Sequence, residues 1–166
     1  MISERRAQTA VWGLLAMMVF IAITSGLVDV YRLYAARNWA YSVAQEAALA
    51  GTSKGGDWTS ISLSGEMRLV GATTRAEAEK LIAAEMAARG ITRYVMDVRV
   101  LPDSVGGSLS GYPPRPVRLG TNRGSWSSDE PAVGVYLEVP VEWFLLDRLG
   151  IVAKDVHVFA AAGVAD

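Results

Sequence analysis

Cysteine is missing from all 166 residues of this chain. That excludes disulfides, thiolate chemistry and cysteine-ligated metals, and leaves no redox signature to mark a compartment. Histidine occurs once, as His157, with Asp155 two residues away on the same face of a predicted strand. A lone imidazole of this kind reads as structural or exposed rather than as a general base. Metal ligation needs clustered carboxylates or histidines; Asp129 and Glu130 are merely adjacent in a loop, and Asp97 stands alone on its strand. No serine carries a nucleophile signature, and Gly106-Gly107 lies in a loop where it forms no phosphate cradle. Neither charge sign is in excess: 16 Lys+Arg against 17 Asp+Glu give a net charge of −1. Without a basic stripe, nucleic acid is not an expected partner. The expectation is a non-enzyme with no catalytic residue, no cofactor and no metal site.

What the chain has instead is a concentrated apolar segment. Half of its residues (51%) are hydrophobic and the mean hydropathy is +0.24. From residue 7 to 28 there are 22 positions without a charge, AQTAVWGLLAMMVFIAITSGLV. As a helix this stretch rises about 33 Å, enough to cross the hydrocarbon core of a bilayer. Residues 3–6 (SERR) resemble the charged n-region of an export signal, but the apolar run exceeds the usual 7–15 residues of a cleaved one. The small-residue site Ala22-Ile23-Thr24 also falls inside the run, so an uncleaved signal-anchor is expected. Arg5 and Arg6 on one side balance Arg32 and Arg37 on the other. The shortness of residues 1–6 then favours a cytoplasmic N-terminus and an external C-terminal domain.

The helical pattern continues beyond the apolar run, over residues 29–51. Leu27, Val28, Tyr31, Tyr34, Ala35 and Tyr41 recur at helical spacing, with Trp39 on another face. An alanine-rich third follows, SVAQEAALA, and Gly51 is a natural stop. Tyr31 and Tyr34 suit an interfacial aromatic belt. Tyr41 lies too far along for that and is expected to pack on protein, as is Trp39. Small residues, Ala44 and Ala48 among them, allow close helix approach. Asp29 and Arg32, three apart, can pair at the membrane surface.

These residues carry a resemblance. A basic pair, an apolar span, and then VDVYRLYAARNWAYSVAQEAALAG resemble the N-terminal region of TadE/TadG-like proteins, the pseudopilins of tight-adherence (Flp-type) pilus systems. The resemblance implies a membrane component of a pilus assembly, with a second helix and strands behind the anchor. It departs from processed members at one point: Trp12 stands fifth after the Ala7-Gln8 junction, where they carry glutamate. That implies an unprocessed, membrane-resident member.

Behind the anchor, residues 52–57 (TSKGGD) form a turn-rich linker and residues 52–166 a head domain. A short strand is expected within 61–70. Thr74 and Glu77 match a capping box, opening a helix that runs to about Arg89 and stops at Gly90. Its face is Ala78, Leu81, Ile82 and Met86. Periodicity then switches to two in RYVMDVRVL, VGVYLEVPVEWF and KDVHVFAAAG. Three half-buried strands in an antiparallel sheet, covered on one face by the capped helix, are the expected result. Pro140 suggests an edge strand or bulge, and residues 144–150 a short helical turn or crossover. Residues 102–131 are rich in Gly, Pro and Ser, and a loop of that length is functional or disordered. Tyr112 and Trp126, with Arg115, Arg118 and Arg123, are the expected partner contacts there, the alternatives being a loop folded onto its own domain or a mobile linker.

The fold class is therefore α+β: a long transmembrane helix extending into a small antiparallel head. Two functional classes fit. One is a single-pass inner-membrane component of a pilus or secretion-type envelope assembly, meeting the bilayer and other envelope proteins or copies of itself through the helix residues Tyr31, Tyr34, Trp39, Tyr41, Ala44 and Ala48. The other is an accessory subunit of another membrane complex, or an anchored binding module that uses loop 102–131.

Overall fold

The computed structural model describes residues 2–64, 67–102, 106–117, 125–143, 150 and 155–163. The chain is α+β, and divides into two compact units. One comprises Met1–Ala35 with Val141–Lys154, the other Ala36–Pro140 with Asp155–Asp166. The expected head began at residue 52; the unit that holds the sheet instead takes in helix residues from Ala36 onward.

The first element, α1, is a single helix, Ile2–Gly55. Residues 2–6, expected as a tail, are its first turn. In the first unit the large apolar side chains from Val11 to Ile23 are all exposed, Trp12 at 64% and Phe20 at 69%. Two polar residues of the same unit, Ser25 and Asp29, are buried, Asp29 completely.

In the second unit α1 reverses its preference. Ala40, Val43, Ala44, Ala47, Ala48, Gly51, Thr52 and Gly55 are buried. Their spacing of three and four residues places them along one stripe, and small side chains there let the helix axis approach closely. The expected stop at Gly51 and the linker after it are overturned: α1 continues four residues further. Thr52 and Ser53 donate back to the Leu49 and Ala50 carbonyls, sustaining the last turn. Gly55 ends against Thr74, whose Oγ1 occupies the place a Cβ on Gly55 would take.

After α1 a two-residue strand β1 (Gly56–Asp57) pairs antiparallel with β2 (Arg68–Leu69). Between them lies α2, Trp58–Ser64. The short strand expected within 61–70 is confined to Arg68 and Leu69 among the described residues, and residues 61–64 belong to α2. Asp57 accepts from both the backbone and the hydroxyl of Thr59, which opens α2 and holds its carboxyl below the usual range.

The next helix, α3, runs Gly71–Ala88. It begins three residues before the expected capping box, with Val70 at the N-cap and no side-chain cap. The Val70 amide donates to Gly55 O, so the end of α1 sets where α3 starts. Thr74 is then inside the helix, fully buried, and its Oγ1 makes no hydrogen bond. Glu77 reaches Lys54 at 2.9 Å rather than the helix start, and that ammonium holds its carboxyl below the usual range. The C-terminus follows expectation: Gly90 takes φ 68°, and the Ile91 and Gly90 amides close on Met86 O and Ala87 O.

The sheet comprises β3 (Val95–Leu101), β6 (Ala132–Pro140) and β7 (Asp155–Gly163), antiparallel in the order β3-β6-β7. Register places Val98, Val135 and Ala160 side by side, and likewise Met96, Leu137 and Val158. This apolar face packs under the helices: a Cβ on Gly51 of α1 would come within 3.5 Å of Val133 and 3.1 Å of Thr74 O, and α3 contacts β3. Full burial of a Val or Leu here contributes about 1.5–3 kcal/mol each. Pro140 is the last residue of the central strand, not part of an edge strand, which suits a residue that cannot donate to the ladder. The helical turn or crossover expected over 144–150 falls on residues that, apart from Gly150, lie outside those described.

The second face of the sheet is not left half-buried. Within the loop 102–131, β4 (Ser108–Ser110) pairs with β5 (Ser125–Ser127). From this ribbon Tyr112 and Trp126 lie on Gly134 and Phe159. Gly134 is required at that point, since a Cβ would come within 2.8 Å of the Trp126 ring. Strand β6 is therefore covered on both sides, with Val133, Val135, Tyr136 and Leu137 at 1% exposure or less.

Candidate interaction surfaces

The residues expected to pack on neighbours separate into two kinds. Ala44 and Ala48 are fully buried within the sheet-bearing unit, so their close approach is to the chain itself. Trp39 is half-buried under the Arg89 guanidinium, 4.1 Å from its ring centroid, a cation–π contact that ties α1 to the end of α3. Tyr31 and Tyr34 are exposed, at 71% and 64%. Tyr41, expected to need protein to pack on, is also exposed, as is Leu49 further along the same helix. With Val30 and Leu33, these four are the large apolar α1 side chains that stay exposed beyond the apolar run. Asp29, expected in a solvated pair with Arg32, is buried while Arg32 is exposed.

The loop residues also separate. Tyr112 is buried; its hydroxyl donates to Asp97 O at 2.8 Å and lies 3.4 Å from Gly134 O. Burial, with the Asp97 carboxylate next in weight, pushes this phenol well above the ordinary tyrosine range. Trp126 packs edge-on to Phe159 at 5.8 Å. Both aromatics are thus engaged with their own domain rather than held out as contacts. Arg115 is exposed and reaches Glu138 Oε1 at 3.3 Å. Arg118 and Arg123 lie outside the described residues.

Sequence reasoning missed a polar cluster on the same sheet face. Tyr136 Oη donates to Glu138 Oε2 at 3.2 Å and lies 3.0 Å from His157 Nδ1; the rings of Tyr136 and His157 stack nearly parallel. Burial, followed by the Glu138 carboxylate, pushes the Tyr136 phenol up. The signal was available: period two places Tyr136, Glu138 and His157 on one face, and the register sets Glu138 opposite His157. Arg115, which completes the cluster, comes from a loop whose path no periodicity shows.

Beside this cluster a cleft of about 200 Å³ is lined by Arg93, Tyr94, Val95, Glu138, Pro140 and Asp155. Small-molecule sites usually measure about 300–1,000 Å³, so this notch is the size of one side chain. Among the described residues no group of three or more histidine or acidic side chains is placed to hold a metal ion. One helix among them is long and apolar enough to cross a membrane, and its most apolar window is exposed throughout. Comparison with known families, characterised proteins and solved structures finds no match to this chain.

Proposed function

We propose that this protein is a non-enzymatic, single-pass inner-membrane component of a pilus or secretion-type envelope assembly, of TadE-like character. The N-terminus lies in the cytoplasm and the α+β domain outside. One observation carries this reading: α1 exposes its large apolar residues over one stretch and buries its small ones over another. A surface of contiguous Leu, Val, Met, Phe and Trp side chains of that extent is not stable against water and marks lipid or protein contact. The buried stripe makes the later part of the same helix a structural member of the domain. Association with neighbours then falls to side chains that α1 leaves exposed, Tyr31, Tyr34, Tyr41 and Leu49 among them, rather than to Ala44 and Ala48. The engagement of Tyr112 and Trp126 within the domain weighs against a binding module built on loop 102–131.

The test is purification of the intact protein from its native membrane in mild detergent, followed by electron cryomicroscopy. A repeating array, or a particle containing other envelope-assembly proteins around α1, supports the reading. A single copy attached to an unrelated membrane complex would make it an accessory subunit and overturn the pilus assignment.

A further inference from the structure

The sheet has two margins, β3 and β7, and among the described residues each pairs only with β6. An outer strand presents a row of backbone donors and acceptors that another strand can pair with. The two margins differ in charge. Strand β7 carries Asp155 at one end and no other acidic or basic residue except His157. Strand β3 carries Asp97 and Arg99 on either side of Val98.

Around Val98 the sequence reads RYVMDVRVLPD, residues 93–103. Charges of opposite sign stand one residue to either side of Val98, Asp97 and Arg99, and again five residues to either side, Arg93 and Asp103. In an antiparallel pairing of this strand with itself about Val98, Asp97 faces Arg99 of the copy and Arg99 faces its Asp97. Arg93 and Asp103 obey the same rule in sequence. Asp97 and Arg99 are both odd-numbered and so share one face of the strand, and both keep solvent-exposed surface. Within one chain Arg99 Nε donates to Asp97 Oδ1 at 2.9 Å, an exposed pair that can exchange partners at small cost. The Tyr112 hydroxyl on Asp97 O also reaches Gly134 O of β6, which sets it toward the inside of the sheet rather than at its margin. The same operation on β7 about Phe159 sets Asp155 against Gly163 and His157 against Ala161, with no charge complement.

We propose that the β3 margin is a self-association strand: two copies of this chain pair antiparallel about Val98, joining two three-stranded sheets into one of six strands. A two-fold contact of this kind needs a surface complementary to itself, and the sign-reversed charges about Val98 supply it. The inference stands on the sheet alone and does not depend on the envelope-assembly reading.

The test is a charge-swap cycle on the full chain in detergent micelles, read as oligomeric state by sedimentation over a micromolar range. Wild type is expected to be dimeric. Asp97→Arg or Arg99→Asp alone sets like charges across the two-fold and raises the dissociation constant by about tenfold or more. The double variant Asp97→Arg with Arg99→Asp restores both the cross-strand pairs and the pair within each chain, and dimerises as wild type. An equimolar mixture of the two single variants forms the mixed dimer. A wild type that stays monomeric, a dimer indifferent to the single changes, or a loss that neither the double variant nor the mixture repairs would each overturn the proposal.

Discussion

Two stretches of one helix, α1, obey opposite rules. From Val11 to Ile23 the large side chains are outside and exposed. From Ala40 to Gly55 the buried stripe is made of alanine, glycine, valine and threonine, while Tyr41 and Leu49 face out. Secondary-structure propensity does not distinguish the two, since both are helical without interruption. The surroundings that each stretch suits do. The first fits a medium at least as apolar as its own side chains, where association of surface residues brings no hydrophobic gain. The second fits a neighbouring helix and sheet at close range, where each added methylene would collide.

The sharpest way to break this comparison is to place a charge in each stretch. Ala48→Arg buries an unpaired guanidinium in the domain core, at a cost of several kcal/mol. The expected outcome is loss of cooperative unfolding of the domain by circular dichroism, with the protein still in the membrane fraction. Leu15→Arg should do the converse. It costs about 2.5–3.5 kcal/mol of insertion free energy near the middle of a span, read as protein lost from membranes, while the melting temperature of the domain stays put.

Glycine makes a smaller version of the same contrast. Gly55→Ala drives a methyl into Thr74, where the space is already taken, and should destabilise the domain by about 1–3 kcal/mol in urea unfolding. Gly26→Ala meets nothing within 4 Å, and its domain stability is expected to match wild type. Equal effects at the two positions would remove the distinction.

How much of this was legible in the sequence follows from the range of the interactions. The three main strands were readable because Val133, Val135, Leu137 and Val139 alternate with their neighbours, a local signal that burial on one face enforces. Burial of the other face was not readable, because Tyr112, Trp126 and Phe159 meet only after the chain has folded, and their spacing carries no period. The end of α1 was misplaced for the same reason. Gly51 and the TSKGGD run look like a terminus by local rules, but Thr74 and Val133 hold the helix on to Gly55. Thr74 was in turn assigned to a cap by its local match to the capping box, when its packing against Gly55 places it a turn inside α3. The charges about Val98 are self-complementary in the sequence itself, but only the position of β3 at a margin of the sheet gives them a partner.

Two finer predictions bear on the domain that α1 supports. Tyr112→Phe removes the hydroxyl from Asp97 O while keeping the ring against Trp126 and Phe159. It should cost about 0.5–1.5 kcal/mol of stability, measured as a shift in the urea midpoint at unchanged slope. The smallest effect is electrostatic. Lys54 holds the Glu77 carboxyl below its usual range, so its contribution is present above the ordinary carboxylate pKa and is lost as pH falls through the lowered folded value. Glu77→Gln should therefore melt slightly below wild type at pH 7, and the gap should close on acidification below pH ~4. High salt should narrow the same gap at neutral pH.

Because the chain has no native cysteine, single cysteines report on each stretch of α1 without background. The most direct measurement places one at Ser3, Val19 or Leu49 in otherwise wild-type protein and reacts intact cells, outer envelope opened, with a membrane-impermeant maleimide. Labelling is expected at position 49 from outside, at position 3 only after the inner membrane is permeabilised, and at position 19 in neither state. Labelling at position 19 in intact membranes, or release of the protein by carbonate washing, would contradict the claim that one helix serves as membrane span and domain core.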